Sequence, residues 1–231
     1  MNFTFNGISA SSFGLWVEHR PPVVTPKRLI ESISIPGRSG NLLRDTGAYS
    51  NITLTYQVAY KEDVRNKAVE IATWLYQPTY CELEDDYEPT YFRQAVYSSP
   101  FSVSDVLGVA GRANITFECK PQRFLKTGKI PISATNGGEI NNNYQPSLPV
   151  ITIQGSGNGS VTIGGSTVSI TGQIDDLIID SVNQNAVMGG NNANNNISVS
   201  GGFPTLVNGA TEISWSGGVT GVTIVPNWWT L

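Results

Sequence analysis

The hydrophobic period of this chain switches once. Along residues 51–60 the apolar side chains Ile52, Leu54, Tyr56 and Val58 alternate with polar ones, which predicts a β-strand with one face in a core. Then Val64, Ala68, Ile71, Ala72 and Leu75 fall at i, i+4, i+7, i+8 and i+11, the stripe of an amphipathic helix over residues 61–76. Glu62 and Asp63 fall in its first turn, where the positive end of the helix dipole favours acids, and Pro78 ends it. The rest of the first half is β-rich. Residues 3–5 alternate and meet the turn dipeptide Asn6-Gly7, residues 29–35 stop at Pro36-Gly37, and residues 91–97 and 113–119 predict further strands.

After Lys129 no helical stripe occurs. Short β-rich runs at 150–154, 160–163, 167–171, 177–180, 197–199, 211–215 and 222–225 are mostly separated by Gly- or Asn-rich segments. This rhythm predicts a β-sandwich or jelly roll. Gly155, Gly157 and Gly159 imitate a phosphate-binding loop. They lie between two predicted strands, with neither a helix nor a Lys-Ser/Thr pair after them, so the mechanism of such a loop is missing.

Charge sharpens this division. All 14 Lys and Arg residues lie at or before Lys129, with 13 acids in the same stretch, so that half carries a net +1. Residues 130–231 hold five acids and no Lys or Arg, a net −5. We therefore expect a mainly β protein of two domains, a β-domain with one helix over 1–129 and a β-sandwich over 130–231. Its 231 residues suffice for two cores. A half without cations has nothing to clamp phosphates, and neither half is a basic nucleic-acid module. No run approaches the ~20 apolar residues of a membrane span. The first residues lack the pattern of a signal peptide, so synthesis in a cytosol and no membrane insertion are the expectation.

Candidate chemistry is sparse. His19 is the only histidine, so any Ser-His or Cys-His scheme would have to use it; its loop-like setting beside Pro21-Pro22 favours a surface role. Cys81 and Cys119 form no Cys-x-x-Cys pair, and Cys119 alternates with Ile115 and Phe117 as a buried free thiol does. Glu82, Glu84, Asp85, Asp86 and Glu88 read as a solvated loop that meets a neighbour's basic residues. Asp175, Asp176 and Asp180 read as a turn without the spacing of a calcium loop. Trp228 and Trp229 are adjacent, so on a strand they point to opposite faces, and they are the candidate exposed aromatics. We expect no enzymatic activity, no cofactor and no metal site.

Several stretches are jointly distinctive. Phe5-Asn-Gly-Ile-Ser, Ser12-Phe-Gly-Leu, Ile35-Pro-Gly-Arg-Ser-Gly-Asn-Leu, Gly47-Ala-Tyr-Ser-Asn and Phe117-Glu-Cys-Lys-Pro-Gln-Arg-Phe occur in that order. Ile153-Gln-Gly-Ser-Gly-Asn-Gly, Ser200-Gly-Gly-Phe-Pro-Thr-Leu and Ile213-Ser-Trp-Ser-Gly-Gly follow in the second half. Together they resemble the distal tail proteins of long-tailed, non-contractile bacteriophages. The resemblance implies a structural virion protein at the tail tip. Its N-terminal domain would build a homohexameric ring around a channel, and a galectin-like sandwich would point outward. It implies contacts with the tail tube protein, the tape measure protein, the tail-associated baseplate protein and receptor-binding proteins, with DNA only as passing cargo. Arg38, in the turn Pro36–Gly40, and Arg44 become candidate ring-interface or channel residues. The alternative is a carbohydrate-binding adhesion module of the tail tip, working through the C-terminal sandwich.

Overall fold

The computed structural model describes residues 1–61, 63–106 and 109–231. It separates into two compact units, Met1–Arg123 with Leu231, and Phe124–Thr230.

In the first unit the strands are β1 (Phe3–Phe5), β2 (Ile8–Ser9), β3 (Trp16–His19), β4 (Arg28–Ile33), β5 (Leu42–Tyr49) and β6 (Ile52–Lys61). After helix α1 (Val64–Leu75) follow β7 (Cys81–Asp85), β8 (Tyr91–Val96), β9 (Val103–Val106) and β10 (Ala110–Cys119). The main sheet runs β2-β1-β7-β8-β10-β6-β3, with β9 also paired to β10. The strand read from residues 51–60 is β6, and its alternating residues Ile52, Leu54, Tyr56 and Val58 are all buried. Strand β10 pairs with it from Ala110↔Lys61 to Cys119↔Ile52, longer than the predicted 113–119 because the pairing continues through Gly111. There the glycine is required, since a Cβ would lie 2.8 Å from the ring of Tyr60.

The helix is shorter than its predicted span, and Glu62 lies outside the described residues. Asp63 precedes the first turn in the left-handed region (φ 46°), without capping through its side chain. From the predicted stripe Val64, Ile71 and Leu75 are buried, and Trp74 joins them. Trp74 organises the core. Its ring stacks on Phe13 (4.8 Å) and Phe3 (5.8 Å), and its indole N–H donates to the Phe5 carbonyl at 3.0 Å. Phe3 stacks on Tyr56, and Phe117 closes the cluster against Phe5.

Next come β11 (Arg123–Leu125), β12 (Ile132–Ser133), β13 (Gly138–Asn142), β14 (Val150–Ile163), β15 (Ser166–Ile170) and β16 (Leu177–Asp180). The chain continues with β17 (Asn185–Met188), β18 (Asn191–Asn192), β19 (Ile197–Ser200), β20 (Gly209–Val225) and β21 (Trp229–Thr230). The runs expected as separate strands at 150–154 and 160–163 are one strand, and so are those at 211–215 and 222–225. Glycine explains both corrections. Where β14 and β20 pass, a Cβ on Gly218 would sit 1.7 Å from the Ser156 carbonyl, and one on Gly155 would sit 2.2 Å from that of Gly218. With glycine there the two backbones touch and bulge instead of turning away, and the register shifts between Gln154 and Gly159. The ends of β14 then join different neighbours, Val150–Ile153 pairing with β16 and Gly159–Ile163 with β15. A single bent ribbon thus feeds both parts of a β-sandwich, whose buried faces include Ile151, Ile153, Ile163, Ile213 and Ile224. Buried Asn142 pins the loops beneath by donating to the Gln145 and Leu206 carbonyls, each at 3.0 Å, and accepting from the Tyr144 N–H at 2.8 Å.

Candidate functional site

One part of the first unit does not obey the inside–outside rule. Strands β4 and β5 form a two-stranded sheet of their own, and among the described residues neither pairs with any other strand. Its register sets Ile33 opposite Leu42, Ser32 opposite Leu43, Glu31 opposite Arg44 and Ile30 opposite Asp45. The connecting turn uses two left-handed glycines, Gly37 (φ 80°) and Gly40 (φ 82°), and the Arg38 N–H donates to the Ile35 carbonyl at 3.2 Å. Sequence reading found the first strand. It missed the second, because Arg44, Asp45 and Gly47 interrupt the apolar run; the available signal was the glycine turn with β-rich flanks on both sides.

Both faces of this hairpin carry exposed apolar side chains. Leu29, Ile30, Ile33, Leu42 and Leu43 are all exposed, Leu43 by 66%, and Ile35 joins them at the turn. In the main sheet most such residues are buried, with Ile8 and Trp16 exposed on its outer strands β2 and β3. An isolated two-stranded hairpin is marginal in water, and free edges with apolar faces invite pairing with another chain. Polar contacts hold the hairpin together internally. Arg28 pairs with Asp45, Thr46 donates to the Leu29 carbonyl at 2.6 Å, and Arg44 lies 3.7 Å from Glu31. The Gly47 N–H, and after it the Arg28 guanidinium, hold the Asp45 carboxyl below its ordinary pKa. Of the two candidate arginines, Arg44 is therefore engaged within its own hairpin. Arg38 is exposed at the tip with no ion-pair partner among the described residues.

The other sequence candidates are placed differently. Trp228 is only 8% exposed, which corrects its reading as an exposed aromatic. Tyr144 lies 6.3 Å from its ring, and its backbone packs on Gly128, where a Cβ would approach the Trp228 nitrogen to 2.4 Å. Trp229 is half-buried and donates its indole N–H to the Pro146 carbonyl at 2.9 Å. The two therefore form no shared aromatic platform. The acidic cluster begins on a strand, β7, instead of a solvated loop, and its members are already occupied. Asp85 accepts from the Tyr56 hydroxyl at 2.9 Å, Glu88 pairs with Arg123 at 2.8 Å, and Asp86 meets the N-terminal amine at 3.5 Å. Asp180 accepts the Val182 and Asn183 N–H groups of its own turn. Among the described residues no group of three or more His, Cys, Asp or Glu side chains is arranged to hold a metal. His19 is exposed beside a bulge in β3. Cys81 and Cys119 both pair with Ala95, from strands on either side of it, and both are free thiols.

Residues 11–119 match the family of phage tail proteins defined by a RIFT-related domain. Residues 11–119 thus carry a phage tail protein domain, in keeping with a structural component of the virion tail. No curated protein sequence matches it. Among solved structures it is similar to the Dit protein of phage SPP1, described as a paradigm of the hub adsorption apparatus in phages infecting Gram-positive hosts. That similarity has a TM-score of 0.75 at 12% identity and covers 100% of this chain and 99% of the other. The whole phage tail protein, both units included, therefore has the fold of a distal tail protein. The resemblance carried by its scattered sequence motifs holds in three dimensions.

Proposed function

We propose that this tail protein is the ring-forming hub at the distal tip of a siphophage tail, with six copies closed head to tail. The observation that carries the proposal is the exposed apolar hairpin β4–β5. A surface of this kind in a soluble subunit calls for a second chain, and a second copy is the occupant that also gives symmetry. A heterologous contact of hairpin on neighbour closes into a ring when its rotation divides the circle. Arg38 at the hairpin tip then reaches the neighbour or the channel, while Arg44 stiffens the hairpin that carries it.

In this reading the N-terminal domain, residues 1–129, builds the ring, and the cation-free sandwich, residues 130–231, faces the tail's surroundings. The ring connects the tail tube and tape measure proteins to the tail-associated baseplate protein and to receptor-binding proteins, after synthesis in the host cytoplasm. A near-neutral first domain lets DNA pass as cargo, whereas a strongly basic lining would retain it through its phosphates. The decisive measurement is the solution mass of the full chain at micromolar concentration. The expected species is a hexamer of about 150 kDa, six times 24.9 kDa. A strict monomer at every accessible concentration, with the hairpin amides freely exchanging, overturns the proposal.

A further inference from the structure

The first unit holds a cleft whose arginines are not fully matched within it. Arg93 on β8 stands opposite Leu83 of β7, so its side chain leaves the sheet on the face that also carries Asp85. It lines a cleft of about 90 Å³ together with Pro22, Val24, Leu54, Glu88 and Arg123. That is the volume of about three waters, enough for the end of a side chain and too little for a folded element. The Nη1 atom of Arg93 is enclosed and has no hydrogen-bond partner. Among the described residues no carboxylate forms an ion pair with this guanidinium. Arg123 donates from Nη1 to Glu88 at 2.8 Å and lies over the Tyr91 ring at 4.7 Å, yet its Nε is enclosed without a partner as well.

The acids at the cleft do not make up the deficit. Asp85 accepts from the Tyr56 hydroxyl at 2.9 Å and from the Glu88 N–H at 2.9 Å, and the Tyr87 hydroxyl bonds to it too. Glu88 is taken by Arg123. Burial pushes the Arg93 guanidinium below its usual pKa, and the charge of Arg123 acts in the same direction. A desolvated cation without a fixed anion destabilises a fold, and such groups concentrate at functional sites.

We propose that this cleft receives the side-chain carboxylate of an Asp or Glu carried on a peptide segment of a partner protein. A carboxylate supplies the anion that Arg93 lacks, and a guanidinium offers it a planar fork of donors. The acids nearby limit the charge of the ligand. Beside Asp85 and Glu88, two guanidiniums accommodate one further negative charge, whereas a doubly charged phosphate is repelled. The walls indicate what carries the carboxylate. Pro22, Val24 and Leu54 are apolar, and Val23 beside them is 91% exposed. The rings of Tyr87 and Tyr91 already lie under Arg20 and Arg123. The cleft therefore suits aliphatic neighbours on a peptide better than a sugar ring, which needs a free aromatic face. The inference rests on neither the hairpin nor the ring.

The test is ligand-detected saturation-transfer NMR on the full-length chain. The probe is acetyl-Leu-Glu-Leu-amide, with acetyl-Leu-Gln-Leu-amide as the neutral control. The acidic peptide is expected to bind in the ~mM range and the neutral one about tenfold more weakly. Arg93→Lys keeps the charge but loses the fork, and is expected to weaken binding about tenfold. Arg93→Met is expected to abolish binding without lowering the melting temperature, because it removes an unpaired buried charge. The proposal is overturned if the acidic peptide fails to bind up to ~20 mM, if the neutral peptide binds equally, or if Arg93→Lys binds as the parent does. A melting temperature lowered by more than about 4 °C in Arg93→Met makes the arginine part of the fold and also overturns it. Displacement of the peptide by equimolar inorganic phosphate or glucuronate, the marks of a general anion site or a sugar-acid site, does so too.

Discussion

Leu43→Asp is the sharpest perturbation of the proposed ring. Leu43 stands on β5 opposite Ser32 and is 66% exposed in the single chain. Complete burial of a leucine contributes about 1.5–3 kcal/mol, so covering the exposed two-thirds contributes about 1–2 kcal/mol per contact. Aspartate forfeits that and must in addition be desolvated without a partner, a penalty of several kcal/mol. The combined loss of about 4–6 kcal/mol lowers the association constant of each contact by roughly a thousandfold or more. In a closed ring every subunit makes this contact twice, once with each neighbour. Mass photometry and sedimentation velocity at micromolar concentration should therefore show the ring replaced by monomer, with the circular dichroism unchanged. Val69→Asp is the control. Val69 is 67% exposed and lies on α1, outside the hairpin strands. A ring that survives Leu43→Asp, or one that Val69→Asp disrupts equally, refutes the hairpin as the assembly surface.

Four further expectations concern the first unit. Trp74→Ala should destabilise its urea transition by about 3–5 kcal/mol, through lost stacking on Phe3 and Phe13. Trp74→Phe should cost about 1–3 kcal/mol, because the Phe5 carbonyl loses its donor; a loss below about 1 kcal/mol for the alanine variant would contradict this core. Burial pushes the Cys119 thiol up to about 12. At pH 8 a thiol reagent should therefore leave Cys119 unmodified in the folded chain and reach it in urea, and equal labelling in both conditions would count against its burial. Oxidation should form no disulfide within one chain, because two strand spacings separate Cys81 from Cys119, about 10 Å against the ~7 Å limit for bridging. The Asp45 carboxyl is depressed by the Gly47 N–H and the Arg28 guanidinium, so its contribution to hairpin order is complete above the ordinary carboxylate value and lost as pH falls through the lower folded value. A side-chain carboxyl titration by NMR should place its midpoint below that of a model aspartate, and a midpoint at or above the model value would remove the argument.

How far the sequence discloses this protein depends on whether a residue's neighbours are near in the chain. The strand β6 and the helix α1 were legible because periods of two and 3.6 are local quantities, and Tyr56 and Ile71 are buried where those periods put them. Gly155–Gly159 were not read correctly. As a cluster they signal a turn, and only the approach of Gly217 and Gly218 from some sixty residues away shows that they let two strands touch. Trp228 failed for a similar reason, since its covering residues Gly128 and Tyr144 are remote in sequence.

The hairpin poses a harder problem. Leu29, Ile30, Ile33, Leu42 and Leu43 have the composition of core strands, and in the sequence nothing distinguishes them from Ile52 or Leu54. Their difference lies in topology: β6 has β10 and β3 on its two sides, whereas among the described residues β4 and β5 have only each other. Apolar content reports that a surface will be covered, and the fold of one chain decides whether that chain can cover it.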